Sequence, residues 1–119
     1  MATTIASRKA RGMLLQKKIV EMILETYPEL TANDVRSVPG SVPGNDIWLS
    51  ERASQLFDFA VEAKNQESLS IWAALEQAED PKRKGVPLLV FKRNRSKIYA
   101  CLEFETFLKL IKSDRHCYV

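Results

Sequence analysis

Apolar positions recur along this chain at two different periods, and the switches between them mark out its elements. Met13, Gln16, Val20, Ile23 and Tyr27 fall at helical spacing on one stripe, flanked by Ile19 and Leu24, which predicts an amphipathic helix over about 11–27. Pro28 ends it by restricting the residue before it. Val35 belongs to a short first strand, followed by the breaker-rich run Val38-Pro39-Gly40-Ser41-Val42-Pro43-Gly44. Strands are then predicted near 46–49 and over 56–64, joined by the polar segment Ser50 to Gln55, which has room for a helical turn. In the second of these strands the residues alternate. Phe57, Phe59, Val61 and Ala63 take one face; Asp58, Ala60, Glu62 and Lys64 take the other.

Ser68 or Ser70 can cap a second helix over about 70–79, with Ile71, Leu75 and Ala78 on its buried face. Pro81 and the basic run Lys82-Arg83-Lys84-Gly85 end it. Val86 to Phe91 is a continuous apolar run, which suits a central strand covered on both faces. Asn94-Arg95-Ser96 turns the chain into a last strand near 97–102, and a final helix over about 103–112 carries Phe104, Phe107, Leu108 and Ile111 on one face. The order is α-β-β-β-α-β-β-α, an α/β sandwich.

At 119 residues and 45% hydrophobic content the chain is expected to form a single domain, with residues 1–8 and 113–119 as loose tails. No apolar run approaches twenty residues and no signal-peptide pattern is visible, so neither membrane insertion nor secretion is indicated. Cys101 and Cys117 read as reduced thiols of an intracellular, cytoplasmic protein. His116 beside Cys117 reads as part of a polar tail, because the chain has no other histidine and no C-x-x-C.

The net charge of +3 changes the picture only when it is divided along the chain. Residues 1–18 hold Arg8, Lys9, Arg11, Lys17 and Lys18 and no acid. Residues 82–97 hold Lys82, Arg83, Lys84, Lys92, Arg93, Arg95 and Lys97, again with no acid. Between them, residues 19–81 carry twelve acids against Arg36, Arg52 and Lys64. Ordinary solvated charge is the plain alternative. Segregation into two acid-free blocks instead favours a polyanion-binding surface, with Arg8, Lys9, Arg11, Lys92, Arg93 and Arg95 as its DNA-binding candidates.

The acidic middle contains one arrangement with chemistry in it. Alternation makes Glu62 and Lys64 neighbours on one side of a strand, and Asp46 opens the strand before, directly behind the Pro/Gly loop. Two carboxylates with an ammonium suit Mg²⁺-assisted hydrolysis of a phosphodiester: the carboxylates hold the cation and the lysine positions the attacking water or neutralises developing charge. A Glu-x-Lys triplet alone has little specificity, since charges alternate on many solvated strands. The aspartate and the breaker-rich loop raise it. Gln16 is an amide at the centre of an apolar arc. It is either a buried amide satisfied by backbone or a residue pointing into the site.

These residues resemble the PD-(D/E)XK nuclease superfamily, and within it archaeal-type Holliday junction resolvases and small phage-encoded endonucleases. The resemblance runs from Arg8-Lys9-Ala10-Arg11-Gly12 through Gln16 to Val35-Arg36-Ser37-Val38-Pro39-Gly40-Ser41. It continues through Asn45-Asp46-Ile47 and Val61-Glu62-Ala63-Lys64 to the basic strand and turn of Val86 to Ser96, covering roughly residues 8–112. It implies a restriction-endonuclease-like α-β-β-β-α-β-β sandwich with a central mixed sheet, here with an extra C-terminal helix. It also implies a Mg²⁺-dependent endonuclease (Mn²⁺ substituting), acting as a homodimer on branched DNA, in the host cytoplasm if phage-encoded. Carried over by position, Asp46, Glu62 and the Ala63 carbonyl ligate the metal, Lys64 serves the attacking water, and Arg36 and Ser41 lie near the scissile phosphate. The chain departs from the pattern twice. Asn45 stands where proline often precedes the aspartate, and Gln16 falls where the resolvases have a first-helix glutamate, which would leave a second metal position weak or absent. Glu21 and Glu25 are poor substitutes, lying across the helix from Gln16. A DNA-binding module that keeps the fold but cleaves poorly, or an α/β interaction protein with accidental motifs, are the competing readings.

Overall fold

A computed structural model describes residues 4–40 and 42–113 of the chain. Helix α1 spans Ile5–Thr26, and the Thr4 side chain caps it by accepting from the Ser7 N–H at 3.0 Å. It begins six residues before the expected start, so residues 5–8 form its first turn and are no loose tail. Apolar periodicity could not reveal that turn: its residues project into solvent, and the Thr4 cap and the helix propensity of Ala6 and Arg8 hold it. Further along, α1 buries Leu15, Gln16, Ile19 and Ile23, while Val20, Leu24 and Tyr27 only border the core. The buried stripe is therefore rotated from the expected one toward Leu15 and Ile19.

Strands β1 (Val35–Ser37) and β2 (Ile47–Leu49) form an antiparallel pair in which Val35 faces Leu49 and Ser37 faces Ile47. Between β2 and the next strand the polar segment forms a short helix, α2 (Glu51–Leu56), and not merely a turn. Ser50 makes this possible. Its hydroxyl accepts from the Ala53 N–H at 3.1 Å and donates to Asp34 Oδ1 at 2.7 Å, tying the start of α2 to the entrance of β1.

A second, mixed sheet has the order β3-β4-β5. Strand β3 (Phe59–Asn65) runs parallel to β4 (Val86–Lys92), with helix α3 (Ile71–Ala78) as the crossover. Strand β5 (Tyr99–Cys101) pairs antiparallel with β4. The apolar run of β4 is thus the central strand of the three, as its composition predicts. The two sheets share a core, and hydrogen bonds join them at the start of β2, where the Asp46 N–H donates to the Val61 carbonyl at 3.0 Å.

Alternation along β3 sorts the layers. Phe59, Val61 and Ala63 meet the aliphatic side of α1, in a core with Leu15, Ile19, Ile23, Leu30, Val35, Ile47, Ala53 and Val90. Helix α3 contacts β3 and β4 and is buried through Ala74 and Ala78. Ile71 and Leu75 are only half-buried, because small residues are what a helix needs to approach a sheet closely. Helix α4 (Phe104–Ser113) buries none of its residues; Phe104, Phe107, Leu108 and Ile111 all remain exposed. No helix among the described residues is long and apolar enough to cross a membrane.

Candidate active site

The site is assembled where Asp46 joins the two sheets. After the Pro/Gly loop, the chain reaches β3 at Asp46, whose N–H bonds the Val61 carbonyl and whose carbonyl accepts from the Val38 N–H at 2.8 Å. Held by its backbone on both sides, Asp46 turns its carboxylate onto β3, where Oδ2 accepts from the Ala63 N–H at 2.7 Å. Ala63 lies between Glu62 and Lys64. Residues far apart in sequence, Asp46 against Glu62 and Lys64, are thereby brought to one place.

Glu62 is buried, with 5% of its surface exposed. Its carboxyl is held above the ordinary carboxylate range, first by burial and then by the negative charge of Asp46; Arg83 and Lys64 act against these. Two carboxylates this close, one of them buried, call for a positive charge between or beside them. The chain supplies one of its own. Arg83 Nη2 donates to Glu62 Oε1 at 2.7 Å, and Nη1 donates to the Val61 carbonyl at 3.3 Å. Both side chains of this ion pair are largely hidden from solvent.

Arg83 is the site residue that sequence reasoning missed. It stood in a run of three basic residues, where solvated charge is the ordinary expectation. Its placement depends on Gly85, which has a φ of +100° and an α-carbon so close to β3 that a Cβ would lie 3.1 Å from the Ala60 nitrogen. The approach is closed by a bond from the Val86 N–H to the Asp58 carbonyl at 2.9 Å, which lays the 81–85 segment against the start of β3. The combination of a basic run with an immediately following glycine was the one available signal.

Asn45, directly before the aspartate, ties two segments together through its side chain. Its Nδ2 donates to the Lys84 carbonyl at 3.0 Å, bracing the Pro/Gly loop against the basic segment next to Asp46. Between these two segments lies a groove of about 840 Å³ lined by Arg36, Trp48, Lys82, Arg83 and Lys84 among others. The Arg36 guanidinium lies 4.3 Å from the centre of the Trp48 ring on the same hairpin. Ser41 falls outside the described residues.

The two acid-free blocks meet at the other end of β3. Asn65 follows Lys64, and its Nδ2 donates to the Arg11 carbonyl at 3.1 Å. Asn65 also pairs in register with Lys92, whose carbonyl accepts from the Gln66 N–H at 3.1 Å. The first turns of α1, carrying Arg8, Lys9 and Arg11, are thus adjacent to the β4–β5 turn with Lys92, Arg93 and Arg95. That turn is tightened by Ser96, whose hydroxyl accepts from the Arg93 N–H at 3.0 Å, and by a left-handed Arg95 (φ 61°). Basic surface therefore flanks the carboxylates on both sides: the groove around Arg36 and Lys84, and the cluster around Arg11 and Lys92.

Gln16 is buried, 5% exposed, and its Oε1 is a hidden acceptor with no hydrogen-bond partner. No hydrogen bond joins it to Asp46, Glu62 or Lys64 among the described residues, so the structure does not link it directly to the site. Helix α1 packs on the Val61 face of β3, and Glu62 points to the opposite face.

Among the described residues no three His, Cys, Asp or Glu side chains gather into one cluster. A divalent cation would have to be held by Asp46 and Glu62, completed by backbone, amide or water oxygens. The residues fit such a cation: they are hard oxygen donors, electrostatically strained by one another, and already drawing a guanidinium into contact. Comparison with protein-family models, with curated proteins and with solved structures returned no match.

Proposed function

We propose that this chain is a Mg²⁺-dependent endonuclease of the PD-(D/E)XK type, with Mn²⁺ able to substitute, that hydrolyses phosphodiester bonds in DNA. The observation that carries the reading is the 2.7 Å bond from the Ala63 N–H to Asp46 Oδ2, which brings a strand-opening aspartate onto a Glu-x-Lys strand. In this reading Asp46, Glu62 and the Ala63 carbonyl hold the cation. A bound divalent cation supplies Lewis-acid polarisation of the phosphodiester and acidifies water at neutral pH. Lys64, beside Glu62, orients the attacking water or offsets the negative charge that develops at the phosphate. Arg36 and the basic surfaces on either side align the backbone of the nucleic acid, and the closed aliphatic core under Val61 keeps the strand carrying Glu62 rigid.

Branched DNA cut by a homodimer is the form of the activity proposed. Helix α4 supports it: Phe104, Phe107, Leu108 and Ile111 form an exposed apolar face. A second copy covering this face would bury on the order of 1,200–2,000 Å² in total. Light scattering is expected to give the mass of two chains, and Phe107→Asp to give one.

The deciding assay is cleavage of a matched four-way junction, flap, duplex and single strand with Mg²⁺, Mn²⁺, Ca²⁺ or chelator. Cleavage is expected with Mg²⁺ and Mn²⁺, little with Ca²⁺, and none from Glu62→Ala. Full activity of the Glu62→Ala protein rejects the assignment. A second reading, a DNA-binding module with lost or weak cleavage, is favoured by the unlinked Gln16. DNA binding without cleavage of any of the four substrates selects it.

A further inference from the structure

Arg83 is not used by the chemistry above, yet it makes the closest ionic contact with the site. Its guanidinium is bonded to the same Glu62 carboxylate that the proposed function gives to a divalent cation. Both are positive charges seeking one buried anion, and a carboxylate already neutralised by a guanidinium attracts a second cation less. Arg83 has, however, another anion within reach. Its segment lines the groove with Arg36, Lys82 and Lys84, where nucleic-acid phosphates would lie.

We infer that Arg83 is a resident counter-ion of Glu62 that competes with a divalent cation, and that nucleic acid in the groove releases it by offering a phosphate instead. The inference rests on the proposed metal site and adds to it a coupling: cation and nucleic acid bind more tightly together than apart. Such coupling is reciprocal, so each must strengthen the other's affinity by the same factor. It would keep the metal site weak in the free protein and complete it on the substrate. Arg83 is a positioning residue in this scheme.

Several observations support the exchange. The guanidinium is anchored to β3 by one side chain and one carbonyl: one short bond to Glu62 Oε1 at 2.7 Å, and two long ones, to Glu62 Oε2 at 3.4 Å and to the Val61 carbonyl at 3.3 Å. The segment that bears it is held after Arg83 by the Asn45 side chain on the Lys84 carbonyl and by the Val86 N–H on the Asp58 carbonyl, and before it by the Arg83 N–H on the Asp80 carbonyl at 3.0 Å. Arg83 can therefore swing about its own side-chain torsions without unseating the segment. The groove it lines holds Arg36, Lys82 and Lys84 as well as Arg83, against the acids Glu51 and Asp58, so its cations outnumber its acids and a phosphate there would be attracted.

The test measures cation affinity directly, with Ca²⁺ as the probe so that DNA stays intact. Calorimetry is run on the wild-type protein and on Arg83→Gln, Arg83→Lys and Glu62→Gln, each with and without a four-way junction. In the free protein, Arg83→Gln is expected to bind Ca²⁺ roughly tenfold more tightly than wild type, because a full opposing charge has left a low-dielectric contact. Arg83→Lys keeps the charge and should stay near wild type. The junction should tighten Ca²⁺ binding to wild type by about five- to fiftyfold, within the usual range of coupling between sites. In Arg83→Gln that enhancement should largely disappear.

Equal Ca²⁺ affinity in wild type and Arg83→Gln, with Glu62→Gln still losing it, would overturn the counter-ion role while leaving the metal site intact. If Glu62→Gln binds Ca²⁺ as well as wild type, the metal site itself fails, and the inference fails with it. Should Arg83→Gln not fold alone because Glu62 is left unpaired, folding in millimolar Ca²⁺ supports the exchange. A protein that stays unfolded there overturns it, since the cation would then be unable to replace the guanidinium.

Discussion

Asp46 is asked to do two things, and two substitutions separate them. Its carboxylate takes the Ala63 N–H in a 2.7 Å bond, which fastens the start of β2 to β3, and in the proposed chemistry it also holds the cation. Asp46→Ala removes both. The lost bond has a charged acceptor and is worth about 1.5–3 kcal/mol, and the Ala63 N–H is left without its partner. Against this, Asp46 raises the proton affinity of Glu62, so deleting its charge eases the neighbouring carboxylate. The net loss is then about 1–2 kcal/mol. At a urea dependence of about 1–2 kcal/mol per molar, the unfolding midpoint falls by about 1 M. Asp46→Asn behaves differently. Its amide oxygen still accepts from Ala63, its NH₂ can donate towards Glu62, and the like-charge repulsion is gone. Its stability should equal or exceed that of wild type. In cleavage both variants should fall by at least about a hundredfold, since a neutral amide binds Mg²⁺ too weakly to replace a carboxylate. Urea unfolding by circular dichroism and cleavage of a labelled junction give the two readouts. An Asn variant that cuts like wild type would falsify the metal role of Asp46. An Ala variant as stable as wild type would show that the Ala63 bond does not hold the sheets together.

Other expectations follow from separate parts of the molecule. Replacing Lys92, Arg93 and Arg95 with alanine together should flatten the salt dependence of duplex binding by about two to three units in log K against log salt, at roughly 0.9 per phosphate contact; an unchanged slope means the β4–β5 turn does not touch DNA. Asp34 accepts from the Thr31 N–H, the Ser50 hydroxyl and Arg52, and these hold its carboxyl below its ordinary 3.8. A depressed folded value stabilises the protein above the ordinary value and stops doing so as the pH falls below it. The Tm gap between wild type and Asp34→Asn should therefore be open at pH 7 and close as the pH drops below 3.8; a gap constant down to pH 2 contradicts this. Gln16 has a buried acceptor without a partner. Gln16→Leu should raise metal-free stability by on the order of 1 kcal/mol, and Gln16→Glu should lower it. If Mg²⁺ relieves the loss in the Glu variant, Gln16 reaches the cation; if it does not, Gln16 is a core amide.

Most of the elements were legible because burial leaves a period in the sequence. The alternation from Phe59 to Ala63 carried the face of β3 that meets α1, although the strand begins at Phe59 and not at 56, where α2 still runs; the unbroken apolar run Val86 to Phe91 carried the central strand β4. Where side chains stay in solvent, no such trace is left. The first turn of α1 and the short helix after Ser50 rest on capping and propensity, and periodicity passed over the one and left the other open as a turn. The amphipathic pattern of α4 was also plain, but a pattern cannot say what covers it. Among the described residues nothing buries it, and both layers on the sheet are already taken by α1 and α3.

The candidate site divides along the same line. That Glu62 and Lys64 share a face, and that Asp46 opens a strand behind a loop of breakers, follow from spacing alone, since strand geometry is local. That Asp46 reaches Ala63 and no other amide is a fact of register between two sheets, set by hydrogen bonds that only the folded chain makes. Arg83 is the clearest case. Sequence placed it among solvated basic residues, and only the parallel crossover through α3, closed by a left-handed glycine packed tightly on β3, returns it to a carboxylate 21 residues earlier. Periodicity reports which residues leave water. Which charges then meet is decided by loop closure and packing, over distances along the chain that no local pattern spans.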